Sequence, residues 1–118
     1  MEIISVKDEK RNFPRIRLRT PLRYQIRGTP DFNNALSEDI SLSGMGFIND
    51  NFIVPSSNVT LEINILSRIL TPIGRITWSM PLAHSDRYRL GVEFLEFNPV
   101  EKRYLGDFID IQMQMEKF

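Results

Sequence analysis

Short runs in which apolar and polar side chains alternate constrain the fold of this chain more than any other feature. In one run the apolar residues occupy every second position, with polar residues between them: Val59, Leu61, Ile63 and Ile65. Successive side chains of a β-strand point to opposite faces, so this spacing predicts a strand with one buried and one exposed face. The same alternation recurs in other short segments, which predicts a mainly β protein.

Turn residues divide the chain into six regions of predicted strand. These are residues 15–27, 35–41, 46–48, 59–66, 69–78 and 88–97, and most of them are separated by stretches with turn residues such as glycine, proline, asparagine and aspartate. The first region is the longest and has Pro21 near its middle, so we expect either a half-buried strand pair or one bent strand. Short strands at this spacing favour an antiparallel barrel or sandwich, and a closed barrel would also remove exposed edges.

The last part of the chain has the pattern of a helix. Asn98 suits the N-cap, Pro99 suits the first helical position, and Glu101 would complete a capping box. A stripe of side chains then recurs at helical spacing: Tyr104, Leu105, Phe108, Ile109 and Gln112. We expect this stripe to pack on the sheet, with a self-association surface as the alternative.

Composition excludes several classes of protein. The 118 residues are 42% hydrophobic and 25% charged, as in a folded globular domain, and no apolar run reaches the length of a membrane span. We expect a cytoplasmic protein without a signal peptide. The chain has no cysteine and one histidine, His84, which we expect to be exposed in a turn. This leaves no nucleophile–base pair and no metal site to propose, so we expect neither an enzyme nor a cofactor.

The net charge of zero conceals a strong segregation of charge. Residues 10–27 contain seven basic and no acidic residues, whereas residues 28–118 contain seven basic and twelve acidic residues. An anionic partner near the N-terminal segment is the simplest explanation for this arrangement.

Two short motifs carry groups that could bind such a partner. The first is Arg-x-x-x-Arg at residues 11–15, and the second is Asp-x-Ser-x-x-Gly at residues 39–44. Guanidinium groups match phosphates and the O6 and N7 acceptors of guanine, while a carboxylate can accept from the N1–H and amino group of guanine. We expect Asp39 and Ser41 to share the outer face of a strand, and Gly44 to adopt a positive φ or to let a flat base approach closely.

Each motif also has an ordinary interpretation. Asp-x-Ser-x-x-Gly is often a turn whose side chains bond to its own backbone, and Arg-x-x-x-Arg in a basic stretch is often a solvated face. Trp78, the only tryptophan, could be a half-buried barrel aromatic or a residue close to a ligand. The joint occurrence of the two motifs, in this order, favours a shared function.

The order and separation of the two motifs resemble those of the PilZ domain, a bacterial receptor module for cyclic di-GMP. Residues 74–78, residues 89–94 and the capped helix after Asn98 are similar to the later elements of that family. The resemblance implies a six-stranded antiparallel split β-barrel with a C-terminal α-helix from about residue 98. It further implies a flexible leader, residues 1–13, that carries the first motif arginine, followed by a single barrel domain, residues 14–118.

The resemblance also implies the ligand and its site. Cyclic di-GMP would be bound by five residues: Arg11, Arg15, Asp39, Ser41 and Gly44. Further candidates are Lys10, Gly46 and Trp78. The leader would close over the ligand, and this conformational change would signal to a downstream partner protein in the control of motility, biofilm or exopolysaccharide.

Two other functions remain open at this stage. The same fold could serve as a protein-interaction adaptor that does not bind nucleotide. The arginine-rich strands could instead bind RNA or DNA, although no exposed row of aromatic residues is evident among them. We therefore expect no nucleic-acid polymer as partner.

Overall fold

In a computed structural model of the protein, residues 13–116 are described, and they form eight strands and one helix. The strands are β1 (Ile16–Arg17), β2 (Pro21–Ile26), β3 (Asn33–Ile40), β4 (Gly44–Asn49), β5 (Asn58–Ile65), β6 (Arg68–Leu70), β7 (Ile73–Pro81) and β8 (Tyr88–Glu96). The helix, α1, spans Pro99–Met115.

Six of the strands close into an antiparallel barrel. The order around the barrel is β3, β2, β5, β7, β8 and β4, and β4 pairs back with β3. The two remaining short strands extend it, since β1 pairs with β3 and β6 pairs with β5. The six-stranded antiparallel barrel with a C-terminal helix is therefore confirmed.

The alternating pattern fills the inside of this barrel. Val59, Leu61, Ile63 and Ile65 are all buried, and they join one continuous apolar core. Leu105 and Ile109 of α1 belong to the same core, so the helix is packed against the barrel as its apolar stripe predicted.

The first arginine-rich region is a bent strand rather than a hairpin. Both β1 and β2 pair with β3, and the bend lies between them at residues 18–20. Ser37 of β3 fixes the bend, because its hydroxyl donates to the Leu18 carbonyl and accepts from the Thr20 N–H at 2.9 Å. Arg17, Arg19 and Arg23 point to solvent on this strand, as the alternation predicted.

The structure divides one predicted strand and confirms only part of the predicted helix start. The region predicted as one strand at residues 69–78 is divided at Thr71 and Pro72 into β6 and β7. The Asn98 cap is confirmed, since its Oδ1 accepts from the N–H groups of Val100 at 2.8 Å and Glu101 at 3.3 Å. The capping box is wrong, because the Glu101 carboxylate accepts from the Thr71 N–H at 2.8 Å and ties the helix start to the β6–β7 connection.

Candidate ligand site on the barrel wall

Asp39 lies near the end of β3, on the outer face of the barrel. It is opposite Arg17 on β1 and Gly46 on β4. Its Oδ1 accepts from the Gly46 N–H at 2.9 Å and from Arg15 Nη1 at 3.1 Å. No residue in the described part of the chain donates to the second oxygen, Oδ2.

Arg15 is held beside this carboxylate just before β1 begins. Its Nη1 forms the ion pair with Asp39 and lies 3.5 Å from the Gly44 carbonyl. The Arg15 side chain is 20% exposed and that of Asp39 is 39% exposed. The fold therefore brings together the second arginine of one motif and the aspartate of the other, although 24 positions separate them.

The sequence predicts Ser41 on the outer wall beside Asp39, but the structure places it elsewhere. The strand ends at Ile40, and Ser41 starts the hairpin turn that leads into β4, where it is 0% exposed. Its hydroxyl accepts from the Ser43 N–H at 3.1 Å and lies 3.0 Å from the Ser43 hydroxyl. The ordinary interpretation of this motif, a turn bonded to its own backbone, therefore holds for Ser41.

Gly44 is explained by the approach of two strands. Among the glycines of the described region only Gly28 has a positive φ, so the first of the two alternatives for Gly44, a positive φ, is wrong. A Cβ atom at Gly44 would lie 2.2 Å from the backbone oxygen of Val92 on β8. Glycine is needed here because β4 and β8 could not pair at this distance with a side chain between them.

A row of paired residues continues from Asp39 across the barrel wall. Asp39 is opposite Gly46, Gly46 is opposite Gly91 on β8, and Gly91 is opposite Trp78 on β7. A Cβ at Gly46 would lie 2.9 Å from Asp39 Oδ1, and a Cβ at Gly91 would lie 2.3 Å from Trp78 Nε1. The two glycines, which we call the glycine floor, let two side chains lie close to the sheet: the Asp39 carboxylate against Gly46 and the Trp78 indole over Gly91.

Trp78 is a partly exposed aromatic of the barrel wall, and its place close to a ligand stays a prediction. The indole covers Gly91, which makes it a packed aromatic of the barrel, yet the residue is still 37% exposed. It also stands on the same outer face as Asp39, because it ends the row that Asp39 begins. An aromatic ring at this place can stack with a flat base.

The sequence reasoning missed two parts of this surface. One is Gly91, whose position inside a predicted strand is the kind of signal that marks a close approach. The other is an ion pair between Glu38 and Arg89, which involves strands far apart in sequence. Lys10 and Arg11, by contrast, lie outside the described residues, and their place in the site stays a prediction.

The described residues form no metal site and no membrane-spanning helix. Within residues 13–116, no three acidic or histidine side chains are grouped so that they could hold a metal ion. In the same region no helix combines the length and the apolar character needed to cross a bilayer. His84 is exposed in the β7–β8 connection, as predicted.

The described residues form a small closed β-barrel with a C-terminal helix and a polar cluster, Arg15 and Asp39, on its outer wall. The chain belongs to the PilZ domain family, whose family model matches residues 9–110. This range includes Arg11, Arg15 and the whole of the second motif.

Several solved structures have a similar fold. The inhibitor of motility MotI/DgrA of Bacillus subtilis superposes with a TM-score of 0.75 at 17% identity, covering 89% of this chain and 51% of that one. MrkH of K. pneumonia, solved as a complex with c-di-GMP, gives 0.71 at 13% identity, covering 89% and 52%. YcgR of Escherichia coli, also in complex with c-di-GMP, gives 0.65 at 16% identity, covering 92% and 48%.

These likenesses are at low identity, so they show the fold alone. The chain spans about half the length of the solved proteins that it matches. A comparison with curated protein sequences found no match.

Proposed function

We propose that this chain is a receptor domain for cyclic di-GMP. The observation that carries the proposal is the pairing of Arg15 with Asp39 at 3.1 Å, on the outer face of the barrel and beside a floor of two glycines. Two proteins of the same fold, MrkH and YcgR, were solved in complex with this ligand.

The described groups match the ligand in chemical terms. Asp39 Oδ2 can accept from the N1–H and amino group of a guanine, a charge-assisted contact of about 1.5–3 kcal/mol. Trp78 is 37% exposed at the far end of the same row, and its indole can stack with a flat base. The guanidinium of Arg15 stands where it can meet a phosphate or the O6 and N7 acceptors of a guanine.

The other motif residues would have different roles. Ser41 and Gly44 would act by shaping the hairpin that holds Asp39, since the hydroxyl of Ser41 is already used in the turn. Arg11 would add a second guanidinium from the leader, and Lys10 a further positive charge. Closure of the leader over the ligand would then change the surface that a partner protein meets.

Calorimetric titration with cyclic di-GMP tests the proposal. The single substitutions Arg15→Ala and Asp39→Ala should each weaken binding by at least about tenfold, or ~1.4 kcal/mol, because each removes a charge-assisted contact. Arg27→Ala is a matched control. Arg27 is exposed in the connection between β2 and β3, whereas Asp39 lies near the other end of β3. It should leave the affinity unchanged.

Thermal unfolding of each variant should accompany the titration, because Asp39 also accepts from the Gly46 N–H and its removal affects the β3–β4 pairing. An absence of heat with folded wild-type protein would contradict the proposal. It would favour the alternative, a protein-interaction adaptor of the same fold that does not bind nucleotide.

A further inference from the structure

A second ion pair lies beside the candidate site, and it is formed between side chains of β3 and β8. Arg89 Nε donates to Glu38 Oε1 at 2.9 Å, and Arg89 Nη2 donates to Glu38 Oε2 at 2.7 Å. Because β4 lies between β3 and β8 in the sheet, this pair bridges across β4 on the outside of the barrel. The two parallel contacts fix the plane of the guanidinium.

Both partners are next to residues of the glycine floor. Glu38 precedes Asp39 directly, at the point where a bulge shifts the β3–β4 register between Ser37 and Asp39. Arg89 is two positions before Gly91 on β8, so it faces the same side of the sheet. The ion pair therefore borders the floor along one side, between the Asp39 end and the Trp78 end.

The two partners differ in how much of each is exposed. The Glu38 side chain is 22% exposed, and that of Arg89 is 44% exposed. An arginine side chain has five N–H groups. In Arg89 one of these, on Nε, and a second, on Nη2, donate hydrogen bonds to the Glu38 carboxylate. No residue of the described region accepts from Nη1, so both of its N–H groups are available to a ligand.

We propose that Arg89 is a further ligand-contacting residue of this site and that Glu38 is its positioning residue. The inference rests on the proposed function and deepens it: the anionic ligand would meet a guanidinium on each side, Arg15 at the Asp39 end and Arg89 along the border. Because Glu38 fixes the guanidinium before binding, little side-chain freedom is lost when the ligand arrives.

Titration of substituted proteins with cyclic di-GMP tests this role. Arg89→Ala should weaken binding by about tenfold, and Arg89→Lys should restore only part of the affinity, since an ammonium keeps the charge but loses the planar fork. Arg23→Ala is the matched control. It breaks an ion pair with Glu62 at 3.0 Å between β2 and β5, two strands that contribute nothing to the row, and should leave the affinity unchanged.

A double-mutant cycle separates the positioning role of Glu38 from a purely structural one. Glu38→Ala should weaken binding about threefold in the wild-type background and have no effect on affinity when Arg89 is already alanine. Thermal unfolding reports the stability of each variant separately, and Arg89→Lys serves as the informative variant if Arg89→Ala does not fold.

The outcomes of the experiment distinguish the two proposals. If wild-type protein binds, Arg15→Ala weakens binding and Arg89→Ala does not, the role of Arg89 is overturned and the proposed function stands. If folded wild-type protein does not bind cyclic di-GMP, both are overturned.

Discussion

At the scale of single residues, the sheet itself requires the glycines in and next to the second motif, Gly44 and Gly46. Gly44 is required by the backbone of Val92, and Gly46 by the carboxylate of Asp39, which lies against its Cα. Ser41 is likewise used in the hairpin turn. Ser41 and Gly44 of the second motif therefore shape the β3–β4 hairpin and its packing on β8.

Gly44→Ala should destabilise the protein by about 1–3 kcal/mol, as expected for overpacking. The added methyl would lie 2.2 Å from the Val92 oxygen and 3.3 Å from the Val92 carbonyl carbon, and neither atom can move without shifting β8. The free energy of unfolding in urea measures the effect. A variant as stable as the wild type would show that β4 and β8 are farther apart than described.

At the scale of elements, the hairpin between β3 and β4 rests against α1. Leu42 at the hairpin tip and Pro14 line a small cavity of about 100 Å³ together with three helix residues, Gly106, Ile109 and Asp110. The chain thus enters the barrel between the motif hairpin and the helix.

Gly106→Ala should stabilise the protein by about 0.5–1 kcal/mol, because glycine is unfavourable inside a helix. A Cβ at this position would lie 3.9 Å and 4.0 Å from the two Cδ atoms of Leu42, which is ordinary contact distance. The free energy of unfolding in urea should therefore increase for Gly106→Ala and decrease for Gly44→Ala. Loss of stability in the helix variant would mean that the hairpin packs more tightly on α1 than these distances indicate.

At the scale of the whole molecule, the candidate site exists because the barrel is closed. Asp39, Gly46, Gly91 and Trp78 come from four different strands, and they form one row only because β4 pairs with both β3 and β8. Disruption of any one of the three pairings in this row, β3–β4, β4–β8 or β7–β8, would separate the carboxylate of Asp39 from the indole of Trp78.

Ligand binding should increase hydrogen-exchange protection in residues 7–15 and in the hairpin at residues 41–44. The first segment carries both motif arginines, and the second follows Asp39 directly, so a ligand bound between them would reduce the local opening of both. Exchange measured with and without cyclic di-GMP tests this. Equal protection in the two states would remove the proposed conformational signal even if the ligand binds.

Much of the fold could be predicted because its causes are local. The alternation at residues 59–65 marks a half-buried strand wherever that strand pairs, and Asn98 followed by Pro99 marks a helix start through its own backbone. The fate of Glu101 could not be predicted in this way, since Thr71 is 30 positions away and competes for the same carboxylate.

The sequence by itself determined the strands, the start of the helix and the identity of the charged groups, because these depend on neighbours within a few positions. Tertiary structure alone decided that Ser41 is buried, that Gly44 makes room for Val92, and that Arg89 reaches Glu38 across a strand. The physical reason is strand register. Which side chains share a face and touch is set by how strands distant in sequence align when the barrel closes.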